Sequence, residues 1–406
     1  MKHSQLVVFP QSYPFQGGDQ VFLKNELQFL KNHFKKIYII HFTEKNTKRI
    51  DTPQNVEILI LNKQKKISNF QVAFQSGLYE LLLSEYKRLS FRVFIKYFKF
   101  IFASFKKNWM NVLALNDAKL LDHSILYYSF WMNDAALMLA IAQQKKKISN
   151  FIFRLHGFDL YEEIRPDQYI PFRDFNFRYV SKAFTVSKYG YNYLRPKLKL
   201  PMKLINGYLG TTDRGINPIN NNLHILVSCS SLNINKRVTL IIDSLAQIMD
   251  LNIQWFHFGG RGDMKLNKFI DYANHKLSSN IKFFPKGQVD NEELMHFYQT
   301  HPVSAFIHLS STEGGPSIAC VEAISHSIPL IATTVGGLKE SVTDQSGVPL
   351  TENPTINEVV KGIRRILSDE FQNDIFRNGV KSFWKEKFNA EETSRIFINE
   401  INSLKK

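Results

Sequence analysis

Apolar and polar positions alternate along this chain with two periods. Short runs rich in β-branched and aromatic residues recur: QLVVF at 5–9, KIYIIHF at 36–42, VEILIL at 56–61, ILYYSF at 125–130, FIFRLHG at 151–157 and AFTVS at 183–187. Between them lie stretches with helical spacing, so the rhythm predicts parallel strands joined by helical crossovers. The stretch 201–222 (PMKLINGYLGTTDRGINPINNN) breaks the pattern with Pro, Gly and Asn and reads as an inter-domain connection. A second series follows, ILVSCS at 225–230, IQWFHFG at 253–259, IKFFPKG at 281–287, SAFIHLS at 304–310 and PLIATT at 329–334. The expected fold is α/β, two Rossmann-like doubly wound halves facing a cleft. The expected domains are 1–203 and 204–388, with 389–406 a C-terminal helix able to pack back on the first.

One segment departs from plain alternation. Between Arg88 and Trp109, residues Phe91, Ile95, Phe98, Phe102, Phe105 and Trp109 recur at spacings of three and four, forming one apolar stripe of a helix. Arg92, Lys96, Lys99 and Lys106 each follow a member of the stripe by one position, which sets a basic flank beside it. Such a helix suits an anionic membrane surface, and a core helix with a solvated basic edge fits equally well.

Composition narrows the function classes. A chain of 406 residues is long enough for two cores, and 44% hydrophobic with 22% charged residues places it among ordinary globular proteins. The net charge of +16 favours an anionic partner. No nucleic-acid motif accompanies that charge, so nucleic acid is not expected and a phosphorylated substrate or an anionic membrane is. Cys229 and Cys320 lie in apolar runs and read as buried hydrophobes in a reducing compartment. No run of about 18 apolar residues is present and the N-terminus lacks a signal-like core, so the expected location is the cytoplasm, at the inner membrane face.

In doubly wound sheets ligands bind beyond the carboxyl ends of the strands. The turns there carry the candidate chemistry. Glu313 and Glu322 flank a Gly-Gly-Pro-Ser turn that opens a helix, where Gly315, Pro316, Ser317 and Ile318 would present backbone to an anion, Pro316 giving geometry only. Lys236 stands where the strand ILVSCS gives way to the helix KRVTLIIDSL, in reach of phosphate oxygens, with Arg237 beside it. His156 and Asp159 follow a strand in HGFDL; Gly17 and Gly18 precede a helix, and Gly259 sits in a turn after IQWFHF. No D-x-D pair is present.

These blocks resemble the retaining glycosyltransferases of family 4 with the GT-B fold, and more narrowly bacterial enzymes of capsular, exopolysaccharide and lipopolysaccharide synthesis. The resemblance runs over nearly the whole length, through SYPFQGGDQVFLKNELQFL, FRLHGFDLYEE, LVSCSSLNINKRVTLIIDSL, WFHFGGRG, GQVDNEELMHFY, STEGGPSIACVEAISHSIPLIATTVGG and FWKEKFNAEETSRIF. It implies transfer of a sugar from a nucleoside diphosphate sugar to a hydroxyl of a glycan, lipid-linked in the fuller reading, with retention and without a metal or other cofactor. It implies that Lys236 meets the diphosphate, Glu313 the donor sugar, Glu322 the ribose, and His156 and Asp159 the donor sugar and acceptor. Two departures stand out. The Arg usual five residues before the Lys is Ser231 here, and eight residues separate the glutamates where seven are typical, the extra one falling in the flexible Gly-Gly-Pro turn. A nucleotide-sugar 2-epimerase, or a degenerate GT-B protein that only binds a glycan, shares these features.

Overall fold

The computed structural model describes residues 4–15, 19–43, 50–61, 67–260 and 264–404. The chain divides into two units, Met1–Tyr208 with Ser394–Lys406, and Leu209–Thr393. Each is built on one parallel sheet whose central strands are buried, as near-continuous apolar runs require.

In the first unit, β1 (Gln5–Phe9), β2 (Lys36–His41), β3 (Val56–Ile60), β4 (Leu126–Ser129), β5 (Asn150–Leu155), β6 (Lys182–Thr185) and β7 (Leu204–Asn206) lie in the order β3-β2-β1-β4-β5-β6-β7. In the second, β8 (His224–Cys229), β9 (Ile253–Phe258), β10 (Ile281–Gly287), β11 (Ala305–His308), β12 (Leu330–Thr333) and β13 (Gly347–Leu350) lie in the order β10-β9-β8-β11-β12-β13. The strand order reverses direction between β1 and β4 and again between β8 and β11. Those are the two places where crossovers diverge and leave room at the carboxyl edge of a sheet.

The helices of the first unit are α1 (Gln20–His33), α2 (Asn69–Ala73), α3 (Ser76–Arg88), α4 (Phe91–Asp117), α5 (Asp134–Gln144), α6 (Arg173–Tyr179) and α7 (Lys188–Leu194). Those of the second are α8 (Val238–Leu245), α9 (Met264–Lys276), α10 (Asn291–Thr300), α11 (Ile318–Ser325), α12 (Ile356–Ile366) and α13 (Asp374–Phe388). The last helix, α14 (Ala390–Asn402), begins in the second unit and ends in the first.

Two boundaries differ from the sequence reading. β7 pairs with β6 through Ala183 and Leu204, so the first unit runs to Tyr208 rather than 203. Three residues are too short to show a period, and the surrounding Pro and Gly hid them. The C-terminal segment joins the first unit from Ser394 rather than 389 because Phe397 and Asn402 bind there: Phe397 lies 4.3 Å from the Arg154 guanidinium, and the His33 ring is 3.1 Å from Asn402 Oδ1. Arg154 itself is fully buried in β5. It donates to Glu26 Oε2 at 2.5 Å, the Tyr128 hydroxyl at 2.6 Å and the Gly207 carbonyl at 2.7 Å, which is how a core tolerates a guanidinium.

The apolar stripe of α4 splits in two. Phe91, Ile95 and Phe98 are 69%, 56% and 40% exposed, whereas Phe105 is buried and Phe102 and Trp109 pack partly against the core. The cause is α5, which covers the C-terminal half of α4; Lys107 and Asn108 reach its first residue, Asp134. The C-terminal half of the stripe is therefore core, and the N-terminal half is exposed. Among the described residues no helix is long and apolar enough to cross a membrane.

Candidate functional site

Because β8 and β11 are neighbours, the turns that follow them meet. A one-turn helix at Ile234–Lys236 ends the first turn, its start capped by Asn233, whose side chain accepts from Lys236 N. Glu313 stands in the second turn. The Lys236 ammonium donates to Glu313 Oε1, and His308 at the end of β11 shares that oxygen at 2.9 Å. Burial would push the Glu313 carboxyl up, but His308 and Lys236 outweigh it and hold the group at about 2. Glu313 is therefore an anion at neutral pH, able to accept hydrogen bonds from sugar hydroxyls and unable to act as an acid.

A second glycine pair packs against the turn that carries Glu313. Gly337 N donates to the Glu313 carbonyl at 3.2 Å. A Cβ at Gly337 would stand 2.4 Å from Gly315 Cα, and one at Gly336, whose φ is +51°, would stand 2.2 Å from the Glu313 carbonyl oxygen. Only glycines permit that approach. Ser317 then begins α11, and the first-turn amides of that helix are left without helical acceptors, beside Lys236 and Glu313.

Glu322 lies one turn into α11 in different surroundings. It is buried and receives one side-chain hydrogen bond, from Asn291 Nδ2 at 2.8 Å. Burial pushes its carboxyl up to about 7, with Asn291 and the charge of Arg214 pulling it back only part of the way. Gly259, φ +113°, follows β9, where a Cβ would stand 2.1 Å from the Ser230 carbonyl, so it packs the strand ends together.

Arg237, beside Lys236 in sequence, is engaged elsewhere. Its backbone is left-handed, φ 47°, and its guanidinium donates to the Glu352 carbonyl at 2.8 Å and Asn353 Oδ1 at 2.6 Å. It anchors the chain after β13, a role that sequence order beside Lys236 could not reveal. Ser231 accepts from Asn233 Nδ2.

In the first unit, His156 follows β5 and Trp131 follows β4, again on neighbouring strands. Asp159 is buried and its carboxylate is occupied by backbone: Oδ1 accepts from His156 N at 2.7 Å and Oδ2 from Met132 N at 2.9 Å. It clamps the turns after β4 and β5 to each other. The His156 ring has no such partner; its Nδ1 is 3.9 Å from Asp159 Oδ2, and both ring nitrogens are buried without a hydrogen bond. Gly17 and Gly18 lie outside the described residues. Both cysteines are free, and burial pushes the Cys229 thiol up to about 12. No group of three His, Cys, Asp or Glu suited to a metal occurs among the described residues.

Sequence reasoning missed His308, Asn291, Gly336, Gly337 and Trp131. His308 ends an apolar strand and reads as core, and Asn291 is 31 residues from its partner. The only available signal was the Gly-Gly pair after β12.

Residues 211–382, the greater part of the second unit, match the family model of group 1 glycosyl transferases. An uncharacterised glycosyltransferase of Methanocaldococcus jannaschii is 27% identical over 142 residues, 34% of this chain and 35% of that protein, so the chain aligns with about a third of that relative's length. Solved structures share the fold over nearly the full length. The lipopolysaccharide outer core galactosyltransferase WaaB superposes with a TM-score of 0.67 at 15% identity, covering 98% of this chain and 99% of that one. HepE of Anabaena in complex with UDP-glucose gives 0.64 at 14%, covering 99% and 100%. Sucrose-phosphate synthase from Thermosynechococcus elongatus gives 0.69 at 13%, covering 99% of each. The fold is that of GT-B glycosyltransferases, two Rossmann-like parallel sheets.

Proposed function

We propose that the chain is a retaining glycosyltransferase that moves a sugar from a nucleoside diphosphate sugar to a hydroxyl of a glycan acceptor. The observation that carries this reading is the corner formed by Lys236, His308 and Glu313 beside the opening turn of α11, within the segment matched by the glycosyl transferase model. Lys236 and the free amides of α11 would take the diphosphate as its charge develops. The ionised Glu313 would hold donor-sugar hydroxyls and Glu322 the ribose diol. The bond from the anomeric carbon to the phosphate oxygen breaks, the bond to the acceptor oxygen forms on the same face, and the leaving phosphate takes the acceptor proton. Lys236 supplies the charge compensation, so no metal enters this scheme. Thermal-shift screening against UDP, GDP, ADP, CMP and their common sugars tests it: a ligand of the folded state raises the melting temperature, and no shift with any of them would sink the reading.

The acceptor is proposed to be lipid-linked, met at an anionic membrane on the cytoplasmic side. The support is the exposed half of α4 with its neighbour α3, where Tyr79, Leu83 and Tyr86 are also exposed, together with the cations Arg92 and Lys99. Lys96 is engaged by Asp167 at 2.5 Å. Basic residues near such a surface are worth about 1 kcal/mol each, and buried apolar side chains add to that. Replacing Phe91 and Ile95 by Ser should abolish sedimentation with vesicles of mixed phosphatidylglycerol and phosphatidylcholine at low salt without lowering the melting temperature. Persistent sedimentation would rule out this surface.

A further inference from the structure

The turns after β4 and β5 hold a group of rings that the proposed chemistry leaves unused. The Trp131 ring lies 3.8 Å from His156, centroid to centroid, at 36°, and 5.0 Å from Phe158 at 29°. The Trp131 indole nitrogen and both His156 ring nitrogens are shut from solvent with no hydrogen-bond partner, and so is Nε of Arg165, whose guanidinium lies 6.0 Å from the Phe158 ring. Each unpartnered buried group of this kind costs about 1–3 kcal/mol. Native structures hold few of them, and four around one ring stack require a reason.

The backbones beneath the rings are pinned. Asp159 clamps His156 N and Met132 N, Ser129 Oγ donates to the Trp131 carbonyl at 2.6 Å, and Asn133 caps α5 by accepting from Ala135 N. The rings, not the turns, are therefore the parts with freedom to move. They also have an open side, since Phe158 is 39% exposed and Trp131 is partly exposed.

We propose that Trp131 and Phe158 form a subsite for a pyranose ring, in which the indole leaves His156 and lies against the sugar's C–H face. A pyranose has the required two-sided chemistry. Its axial C–H groups pack on aromatic faces, and its peripheral hydroxyls can accept from the indole N–H and the Arg165 Nε–H and bond to the His156 ring. Water could satisfy the polar groups but would offer nothing to the aromatic faces. Arrival of the sugar and uncovering of His156 thus become one event, which keeps the imidazole dry until a second substrate is present. That this sugar is the acceptor rests on the proposed glycosyl transfer; the subsite itself does not.

The test uses the full chain and needs no turnover. Methyl glycosides of glucose, galactose, mannose and N-acetylglucosamine are examined by saturation-transfer NMR, and histidine acylation by diethyl pyrocarbonate is followed by mass spectrometry. At least one glycoside should receive saturation chiefly at its ring C–H protons, and the signal should vanish in Trp131→Ala and Phe158→Ala while surviving in Lys236→Ala. In the wild type, His156 should acylate at least about tenfold more slowly than the exposed His275 and His296, a gap equivalent to about 1.4 kcal/mol of opening. Trp131→Ala should close the gap and Trp131→Phe should keep it. Saturation of no glycoside, an undiminished signal in both alanine variants, or fast acylation of wild-type His156 would overturn the proposal. Because Phe158 is exposed, its variant carries the binding test if Trp131→Ala does not fold. A failed nucleotide screen would leave these results standing, so the two readings fail separately.

Discussion

Glu313 and Glu322 are nine residues apart on one turn and helix, yet their surroundings drive them in opposite directions. At Glu313 a cation and an imidazole converge on one oxygen and hold the carboxyl at about 2; at Glu322 one amide donates and burial lifts it to about 7. The difference shows that the number of charged partners, not burial alone, decides the protonation of a carboxyl. It also separates their possible work. One is a fixed anion beside the Lys236 ammonium, and the other is a carboxyl that burial brings close to neutrality.

The largest test breaks the charged corner. Lys236→Ala removes the donor to a developing anion, a loss that typically costs about 2.7 to 4 kcal/mol, so turnover should fall roughly 100- to 1000-fold with a donor identified by the screen. Glu313 keeps His308 as a partner, so the variant should remain folded. Unchanged kinetics would remove Lys236 from the mechanism.

Glu313→Gln keeps the shape and removes the anion. A hydrogen bond to a charged group contributes about 1.5 to 3 kcal/mol, and two such bonds weaken here. With a folded value of about 2 below the ordinary 4.5, the wild-type carboxylate contributes stability that is present above pH 4.5 and lost as pH falls through 2. The variant should therefore melt below the wild type at pH 7, with the difference already narrower at pH 3.5. Equal melting at pH 7 would show that the ion pair contributes nothing.

Both glutamates stood out in the sequence because they flank a turn between an apolar run and a helical stretch, and the family resemblance gave them their expected roles. Their environments were not. His308 looked like one more residue of a core strand, and Asn291 opens α10, an element away. Arg237 looked like a second cation because sequence order places it beside Lys236, while its left-handed backbone turns it toward Glu352 and Asn353. Asp159 was found, but its occupation by two backbone amides depends on β4 and β5 being neighbours, which is a property of the sheet. The same limit explains α4: the stripe was legible, and the point at which α5 stops covering it was not.

Glu322→Gln tests the other half of the comparison. The folded value of about 7 lies above the ordinary 4.5, so the wild-type group contributes stability that is fully present below pH 4.5 and lost as pH rises through 7. The glutamine variant should escape that loss. It should melt above the wild type at pH 8, by a stability gain on the order of 1–3 kcal/mol, and near the wild type at pH 5. Nucleotide binding should weaken in the same variant if the ribose is held by the carboxylate. A gain of equal size at both pH values would show that Glu322 is not titrating there.

The smallest effect separates burial from hydrogen bonding at that site. Asn291 lowers the Glu322 carboxyl by donating to it, against the larger upward push of burial. Asn291→Ala should therefore move the midpoint of Glu322 titration further up, by a fraction of a pH unit to about one unit, since one neutral hydrogen bond contributes about 0.5–1.5 kcal/mol. The midpoint is read from the carboxyl carbon of isotopically labelled protein, with Glu322→Gln identifying the signal. Nucleotide affinity, if it requires the ionised carboxylate, should acquire the same displacement, falling at pH 7 and recovering at pH 8.5. A midpoint that moves while the affinity profile stays fixed would detach Glu322 from the ribose. A midpoint that does not move would mean that burial alone sets its charge, and the Asn291 amide would then be a packing partner of α11 with no electrostatic part in the site.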